Sequence, residues 1–179
     1  MREANPEALL TELTAGRVDL IVGRLTGRAP DGVHRRKLYD ESIRIAVGTH
    51  HPLTGRPRPT LQDLCDFPWI LPTVETALRQ ELETFFARQG VEIPGNQVEA
   101  TSFLTVRQLL RETDMVAVLP GLIVGSDPQL AALPFSLEPL GHSVGLTLPA
   151  HRQLNPATRA LEEALQAAAE DLRQEPDVG

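Results

Sequence analysis

A predicted helix that ends at a glycine and leads directly into an apolar run is the feature that most constrains the fold. The segment LLTELTAGRVDLIVG spans residues 9–23. Asn5 is suited to cap the helix, Pro6 to occupy its first turn, and Gly16 to end it in a left-handed conformation. A strand is predicted over Val18 to Val22, covered on both faces as parallel strands usually are. Since a helix followed by a buried strand is half of a βαβ unit, we expect the chain to begin inside such a unit.

Composition and charge restrict the classes of function. The chain has 179 residues, of which 41% are hydrophobic and 23% charged, enough for one or two small domains. A formal net charge of -7 opposes binding to phosphates, so we expect any contact with DNA to come from outside this chain. Cys65 is the only cysteine of the chain, so an internal disulfide is excluded, and its thiol is expected to be buried. Because neither an export signal nor a membrane span is recognised, we expect a cytoplasmic protein.

Helical and strand patterns alternate along the rest of the chain. Residues 33–39 and 42–47 form either one long strand or two, and prolines exclude regular structure from the loop after Thr49. Helices are predicted to begin at Thr76, after Ser102 and at Pro156, which Asn155 precedes. Strands are predicted at residues 69–71, 96–100 and 115–119, and at two segments between residues 130 and 148 that are separated at Gly141 and His142. The last helix is expected to bury one side, formed by Leu161, Leu165 and Leu172.

This alternation predicts an α/β fold with largely parallel sheets, whose ligands bind beyond the carboxyl ends of the strands. The polar residues predicted at those ends are Arg24, Thr73, Thr76, Thr101 and Ser102. Helix N-termini supply unpaired N–H groups, so the four hydroxyl residues together are suited to bind a small anion or polyol. Taken singly, each hydroxyl is better explained as a helix cap, and Arg24 is suited either to an anionic ligand or to an acidic neighbour on the protein. Convergence of these side chains would favour the functional interpretation.

Motifs for catalysis and for cofactors are not recognised. The chain has no nucleophile motif, P-loop or dinucleotide-binding glycine pattern. His50 and His51 are adjacent, and neither belongs to a set with metal-ligand spacing, so a structural or exposed role is predicted for both. We therefore expect no enzyme activity, no cofactor and no metal site.

Four segments, in order and in register, resemble the effector-binding, or substrate-binding-like, domain of LysR-type transcriptional regulators. They are LLTELTAGRVDLIVGR at Leu9 to Arg24, IRIAVGTHHPL at Ile43 to Leu53, TLQDLCDFPWILP at Thr60 to Pro72, and VEATSFLTVRQLLRETDMVAVLP at Val98 to Pro120. The resemblance extends from Ala4 to about Leu172. The form DMVAVLP is similar to the branch that includes sugar-responsive and aromatic-acid-responsive regulators.

The resemblance implies a fold of the periplasmic-binding-protein type, with two α/β subdomains joined by two crossover strands. Residues 1–39 and 123–179 would form subdomain I, and residues 40–122 would form subdomain II. A small effector would bind in the cleft between them and bias a hinge closure. The positions that the resemblance assigns to effector binding are Arg24, Thr73, Thr101, Ser102 and Phe103. Thr76 is added to this set because it follows a predicted strand end.

The chain departs from the family at its beginning. It lacks the winged helix-turn-helix, the linker helix, and the first strand and helix of the effector domain, so subdomain I is expected to be incomplete. The family pairs effector domains through one helix of each subdomain. The helix over residues 76–89 remains, whereas its expected partner helix is missing.

Together these observations predict a small-molecule effector-sensing domain of a DNA-binding transcriptional regulator. The effector is expected to be a carboxylate or a sugar acid. DNA would be contacted only through the missing N-terminal domain, the full-length parent would form a homo-oligomer, and no membrane is involved. The alternative is a free-standing solute-binding protein of the same fold, and an enzyme on a related fold ranks third. Replacing Thr101 and Ser102 together by alanine is predicted to weaken effector binding without unfolding the chain.

Overall fold

The computed structural model describes residue 2, residues 4–138 and residues 140–174. The strands are β1 (Ile21–Arg24), β2 (Val33–Gly48), β3 (Trp69–Leu71), β4 (Gln97–Glu99), β5 (Val116–Pro120), β6 (Leu130–Ala132) and β7 (Gly141–Pro149). The helices are α1 (Pro6–Thr14), α2 (Leu61–Cys65), α3 (Ala77–Arg88), α4 (Phe103–Glu112), α5 (Gly121–Ser126) and α6 (Pro156–Gln174), and Pro52–Gly55 is a short 3-10 helix. None of the helices in the described residues is both long and apolar enough to span a membrane.

The chain folds into two compact units. Unit 1 holds residues 2–41 and 142–174, and unit 2 holds residues 42–141. The chain passes from one unit to the other twice, within β2 and at the beginning of β7. Residues 123–141, predicted for subdomain I, belong to unit 2, because β6 pairs with residues 46–48 of β2.

Unit 1 contains an antiparallel arrangement of β1, β7 and the first part of β2. Ile21 lies opposite Thr147 in the β1–β7 pair, and β7 is the neighbour of β2. The core of the unit is formed by Leu38, Leu146, Leu148 and Ala169. The prediction of a strand over Val18 to Val22 with two covered faces is wrong. The strand begins at Ile21, and Val22 is 48% exposed.

Local signals determine where the two long helices of unit 1 begin. Asn5 Oδ1 accepts a hydrogen bond from Ala8 N at 2.8 Å, and Asn155 Oδ1 accepts one from Thr158 N at 2.9 Å. Gly16 follows α1 with a φ of 74°, the left-handed conformation predicted for it. These caps confirm the predicted starts of both helices and the role of the glycine.

The buried side of α6 differs from the predicted one. Leu161 is 50% exposed, so the prediction that it packs inward is wrong. Thr158, Glu162 and Ala169 are buried instead, with Leu165 packed against the core. The spacing of these residues follows one face of the helix, and Glu162 tolerates burial because its carboxylate pairs with Arg36 Nη1 at 2.7 Å.

Unit 2 contains a mixed sheet. β3 runs parallel to both β4 and β5, whereas β2 runs antiparallel to β5 and to β6. The prediction of largely parallel sheets is therefore wrong, since the long strand β2 runs against its neighbours. The alternative of one long strand over residues 33–47 is confirmed.

Helices cover both faces of the unit 2 sheet. α2 and α3 pack with Trp69 and Leu71 on one face, and α4 and α5 pack with Ile70 on the other. The predicted strand break at Gly141 and His142 is wrong, because β7 begins at Gly141. The break lies between the end of β6 at Ala132 and the start of β7, and Leu133, Leu137 and Leu140 from this connection lie in the core. Cys65, predicted to be buried, is half-buried against this cluster, and the burial raises the pKa of its thiol.

Candidate functional site

The carboxyl ends of three parallel strands meet at one edge of the unit 2 sheet, in the order β5, β3, β4. The helix after β3 packs on one face of the sheet, whereas the helices after β4 and β5 pack on the opposite face. The connections from β3 therefore leave the sheet in the opposite direction from those of both neighbours. Such a change of direction opens a crevice outside the strand ends, where α/β proteins bind ligands.

The loop after β3 brings Thr73 and Thr76 to this edge. Thr76 Oγ1 donates a hydrogen bond to the Thr73 carbonyl at 2.8 Å and accepts one from Arg79 N at 3.3 Å. Thr76 N also donates to the Thr73 carbonyl, at 3.0 Å. Thr76 is thus the N-cap of α3, the structural role that the sequence left open for it.

The loop after β4 carries Thr101 and Ser102, and Phe103 is the first residue of the helix α4 that follows. Ala100 N donates to the Leu71 carbonyl at 3.0 Å, so this loop leaves the sheet beside the end of β3. Thr101 and Ser102 are exposed, and Ser102 lies at the N-cap of α4 without a side-chain capping hydrogen bond. The structure therefore places the predicted hydroxyl residues of the two loops at the ends of adjacent strands.

Arg24 lies in unit 1, at the end of β1. Its Nε and Nη2 atoms are 3.1 and 3.0 Å from Glu41 Oε2, and both side chains are partly buried. Of the two roles that the sequence allowed for Arg24, pairing with an acidic neighbour is the one observed.

Arg79 is a buried residue of the site that sequence reasoning missed. Its Nε donates to Glu83 Oε1 at 2.7 Å, and its Nη1 donates to the Pro72 carbonyl at 3.2 Å and to Glu99 Oε1 at 3.5 Å. Arg79 thereby ties the loop after β3 to the end of β4. A cation in the first turn of a helix opposes the helix dipole, so an arginine there with a glutamate four residues later is a usable signal.

Arg44 and Gly121 lie beside the third strand end. Arg44 is opposite Leu119 in the β2–β5 pair. A Cβ atom at Gly121 would lie 2.5 Å from Ser42 Oγ and 3.4 Å from Arg44 Cγ, so a larger residue here would force the Ser42 side chain to move. The sequence signal is the Pro120–Gly121 dipeptide directly after a buried strand. Its effect is to let the Ser42 side chain lie close to the start of α5.

An ion pair positions the helix that follows β4. Arg107 on α4 donates through Nε to Asp127 Oδ2, and through Nη2 to Asp127 Oδ1 at 3.3 Å. Asp127 also accepts from Gln129 N at 3.0 Å. The hydrogen bond from Arg107, and then that from Gln129, lowers the pKa of the Asp127 carboxyl. The pair fixes α4 against the segment after α5.

The two adjacent histidines have separate structural positions. His51 is buried, its Nδ1 accepts from Leu53 N at 3.1 Å, and its Nε2 lies 3.2 Å from the Asp114 carbonyl. His50 is partly exposed, with Nε2 3.6 Å from Asp114 Oδ1. Within the described residues, no group of three or more His, Cys, Asp or Glu side chains is arranged to hold a metal ion.

The fold is similar to solved ligand-binding regulatory domains. The BenM effector binding domain with its effector benzoate matches with a TM-score of 0.73 and 21% identity, covering 98% of this chain and 80% of that chain. The Synechocystis PCC6803 CcmR regulatory domain in complex with 2-PG matches with a TM-score of 0.73 and 18% identity. The match covers 94% of this chain and 82% of that chain. These likenesses show a shared α/β fold of the periplasmic-binding-protein type.

The family model for the LysR substrate binding domain matches residues 1–170. The HTH-type transcriptional regulator PcaQ of Agrobacterium fabrum is 31% identical over 170 residues, covering 92% of this chain and 54% of that protein. The HTH-type transcriptional regulator GalR of Pseudomonas putida is 29% identical over 160 residues, covering 87% of this chain and 40% of that protein. The chain belongs to the LysR substrate binding domain family. It spans about half the length of the curated relatives that it matches.

Proposed function

We propose that this chain is the effector-sensing domain of a LysR-type transcriptional regulator and binds its effector at the carboxyl edge of the unit 2 sheet. The observation that carries the proposal is the change of direction between the connections after β3 and after β4, the place where α/β proteins bind ligands, with the exposed residues Thr101 and Ser102 beside it. Family membership supports it, since the matched relatives are HTH-type transcriptional regulators. The relatives give no support to a free-standing solute-binding protein.

The proposed effector-binding residues of unit 2 are Thr73, Thr76, Thr101, Ser102 and Phe103. Thr101 and Ser102 are the main hydrogen-bond donors, because both are exposed and the Ser102 hydroxyl is not used for capping. Thr76 acts through its loop, which it holds in place by its bonds to Thr73 and Arg79. Arg24, in unit 1, is a separate proposal for effector binding and is not counted with the residues of unit 2, because Glu41 already pairs with its guanidinium.

The proposed activity is sensing and not catalysis. An effector shifts the population toward the conformation that it binds more tightly. The size of the shift is set by the difference between its affinities for the two conformations. The effector is a carboxylate or a sugar acid, and BenM, a structural neighbour, is solved with benzoate. DNA is contacted by a separate N-terminal domain of a cytoplasmic, homo-oligomeric parent, which is consistent with the net charge of -7 on this chain.

Titration calorimetry of the purified chain with sodium benzoate and with sodium gluconate tests the proposal. We expect saturable heat with one of them that is weakened when Thr101 and Ser102 are both replaced by alanine. The matched control is Thr84→Ala, an exposed threonine on α3 whose hydroxyl bonds within its own helix. Equal affinity in the double variant and the control would remove Thr101 and Ser102 from the site.

A further inference from the structure

The loops after β3 and after β4 both begin beside contacts of one side chain, that of Arg79. Its Nη1 donates to the Pro72 carbonyl at 3.2 Å, and Pro72 directly precedes Thr73. The same Nη1 lies 3.5 Å from Glu99 Oε1, two residues before Thr101. Arg79 therefore contacts the starting points of both loops and holds them relative to each other.

The main chain fixes each loop separately. Arg79 N donates to Thr76 Oγ1 at 3.3 Å, and the hydroxyl and N of Thr76 donate to the Thr73 carbonyl at 2.8 and 3.0 Å. The loop after β4 is held at its start by the bond from Ala100 N to the Leu71 carbonyl, at 3.0 Å. To these bonds the guanidinium of Arg79 adds a contact that the two loops share.

Burial and shape make this contact specific to arginine. The Arg79 side chain is 7% exposed, whereas those of Glu83 and Glu99 are 48% and 45% exposed. A buried guanidinium is held firmly by the acceptors around it, because a buried charge without partners is unfavourable. Its planar fork sends Nε to Glu83 and Nη1 to the loop starts. A lysine would keep the charge but not these fixed directions.

We infer that Arg79 is a positioning residue of the proposed site: it sets the spacing between the two loops and does not contact the effector. The hydroxyl residues whose spacing it sets are Thr73, Thr101 and Ser102. The inference rests on the proposed function, since only an effector that binds both loops is sensitive to their spacing. Loops that are already held in place lose less conformational freedom on binding, so the affinity is higher.

Arg79→Lys tests the directions of the donors, because the charge is retained. Titration calorimetry with sodium benzoate and with sodium gluconate is expected to show an affinity about twofold to tenfold weaker for the probe that binds the unsubstituted chain. In the ligand-free variant, hydrogen exchange is expected to be faster at the amides of Thr76 and Ala100, whose bonds lie beside the lost contacts. The matched control is Arg88→Lys, an exposed arginine of α3 that is expected to change neither quantity.

Glu99→Ala separates positioning from stability. An ion pair with an exposed carboxylate adds little to the free energy of unfolding, so denaturant unfolding is expected to be nearly unchanged. The affinity for the same probe is expected to fall about twofold. Adding this change to Arg79→Lys should weaken binding no further, because both changes break one connection. The matched control is Glu112→Ala, an exposed glutamate of α4 whose carboxylate accepts from Gln108.

The outcomes separate this inference from the proposed function. Binding that is weakened by replacing Thr101 and Ser102 with alanine, but is unchanged in Arg79→Lys and Glu99→Ala, would overturn the inference and leave the proposed function in place. A lower free energy of unfolding in Arg79→Lys without a loss of affinity would assign Arg79 a purely structural role and also overturn the inference. Absence of saturable binding by both probes to the folded chain would overturn both.

Discussion

The two units differ in how their sheets are covered, and this difference supports the location that we propose for the binding site. Unit 2 packs helices on both faces of its sheet and buries large side chains such as Trp69 and Phe86 in one cluster. Unit 1 has an antiparallel sheet whose core cluster contains leucine and alanine side chains, with Val22 largely exposed on β1. A sheet covered on both faces offers rigid strand ends, and catalytic or binding loops are commonly held by such a scaffold. We expect unit 2 to be the more stable unit and to hold the site residues in place.

The largest expected effect comes from removing the central side chain of unit 2. Trp69 is fully buried, packs edge-on against Phe86 at 5.4 Å between ring centroids, and donates from Nε1 to the Leu64 carbonyl at 2.9 Å. Trp69→Ala is expected to lower the free energy of unfolding by about 3 to 5 kcal/mol. Denaturant unfolding followed by circular dichroism measures the change. A loss well below this range would contradict the assignment of Trp69 to the stability-determining core.

The corresponding change in unit 1 separates the two cores. Leu146 on β7 is fully buried in the core cluster of unit 1. Leu146→Ala is expected to lower the free energy of unfolding of this unit by about 2 to 5 kcal/mol. Hydrogen exchange of the variant should show faster exchange in the β1 and β7 amides and little change in those of β3 and β5, since local stability is set by the local cluster. Equally faster amide exchange in both units would show that they unfold together and would contradict the assignment of a separate core to each unit.

The stability of unit 2 is expected to decrease in mild acid because of His51. Burial lowers the pKa of His51 from its ordinary value of 6.5, and its Nδ1 must stay unprotonated to accept the Leu53 hydrogen bond. The unfolded chain binds a proton near pH 6.5 while the folded chain does not. The contribution of neutral His51 to the free energy of unfolding is therefore complete above pH 6.5. It is lost as the pH falls from there toward the pKa of His51 in the folded chain.

Thermal melts of the chain and of His51→Gln between neutral and mildly acidic pH measure this dependence. We expect the glutamine variant to flatten the pH profile in that range. His50→Gln is the matched control and should change the profile much less than His51→Gln, because His50 is exposed and its charge has the smallest of the influences on the pKa of His51. A profile that follows His50 instead would show that the buried ring is not the group responsible.

The smallest expected effects distinguish the two helix caps of the site. Thr76→Ala removes a capping hydrogen bond from α3 and is expected to cost about 1 kcal/mol of stability. Ser102→Ala is expected to leave stability unchanged, because Ser102 makes no side-chain cap on α4. Chemical denaturation of both single variants tests this contrast. A comparable loss in Ser102→Ala would mean that its hydroxyl has a structural role after all.

Most of the local structure could be predicted because its signals are local. Asn5 and Gly16 act within one turn of α1, and Thr76 and Gly90 bracket the predicted helix in the same way. Strand direction depends on pairing between distant segments, so the antiparallel placement of β2 could not be read from alternation alone. The inward face of α6 was missed because its centre is occupied by Thr158 and Glu162, and the burial of Glu162 depends on a distant arginine.

For the candidate site too, the features set by local sequence could be predicted and those set by pairing of distant segments could not. Thr73, Thr101 and Ser102 could be predicted at strand ends, because strand ends and helix starts are both visible in the sequence. That these residues belong to adjacent strands required the pairing of β3 with β4. The pair of Arg79 with Glu83 is visible in the sequence, but the connection that Arg79 makes between a loop and a neighbouring strand is revealed only by the folded positions of Pro72 and Glu99.

We propose that the effector binds at the carboxyl edge of unit 2. The most direct measurement is the shift of backbone amide signals in a nuclear magnetic resonance titration of the labelled chain with sodium benzoate. We predict saturable shifts concentrated in residues 72–76 and 100–104, at the ends of β3 and β4. Saturable shifts confined to other segments, such as α1 and α6 of unit 1, would contradict it.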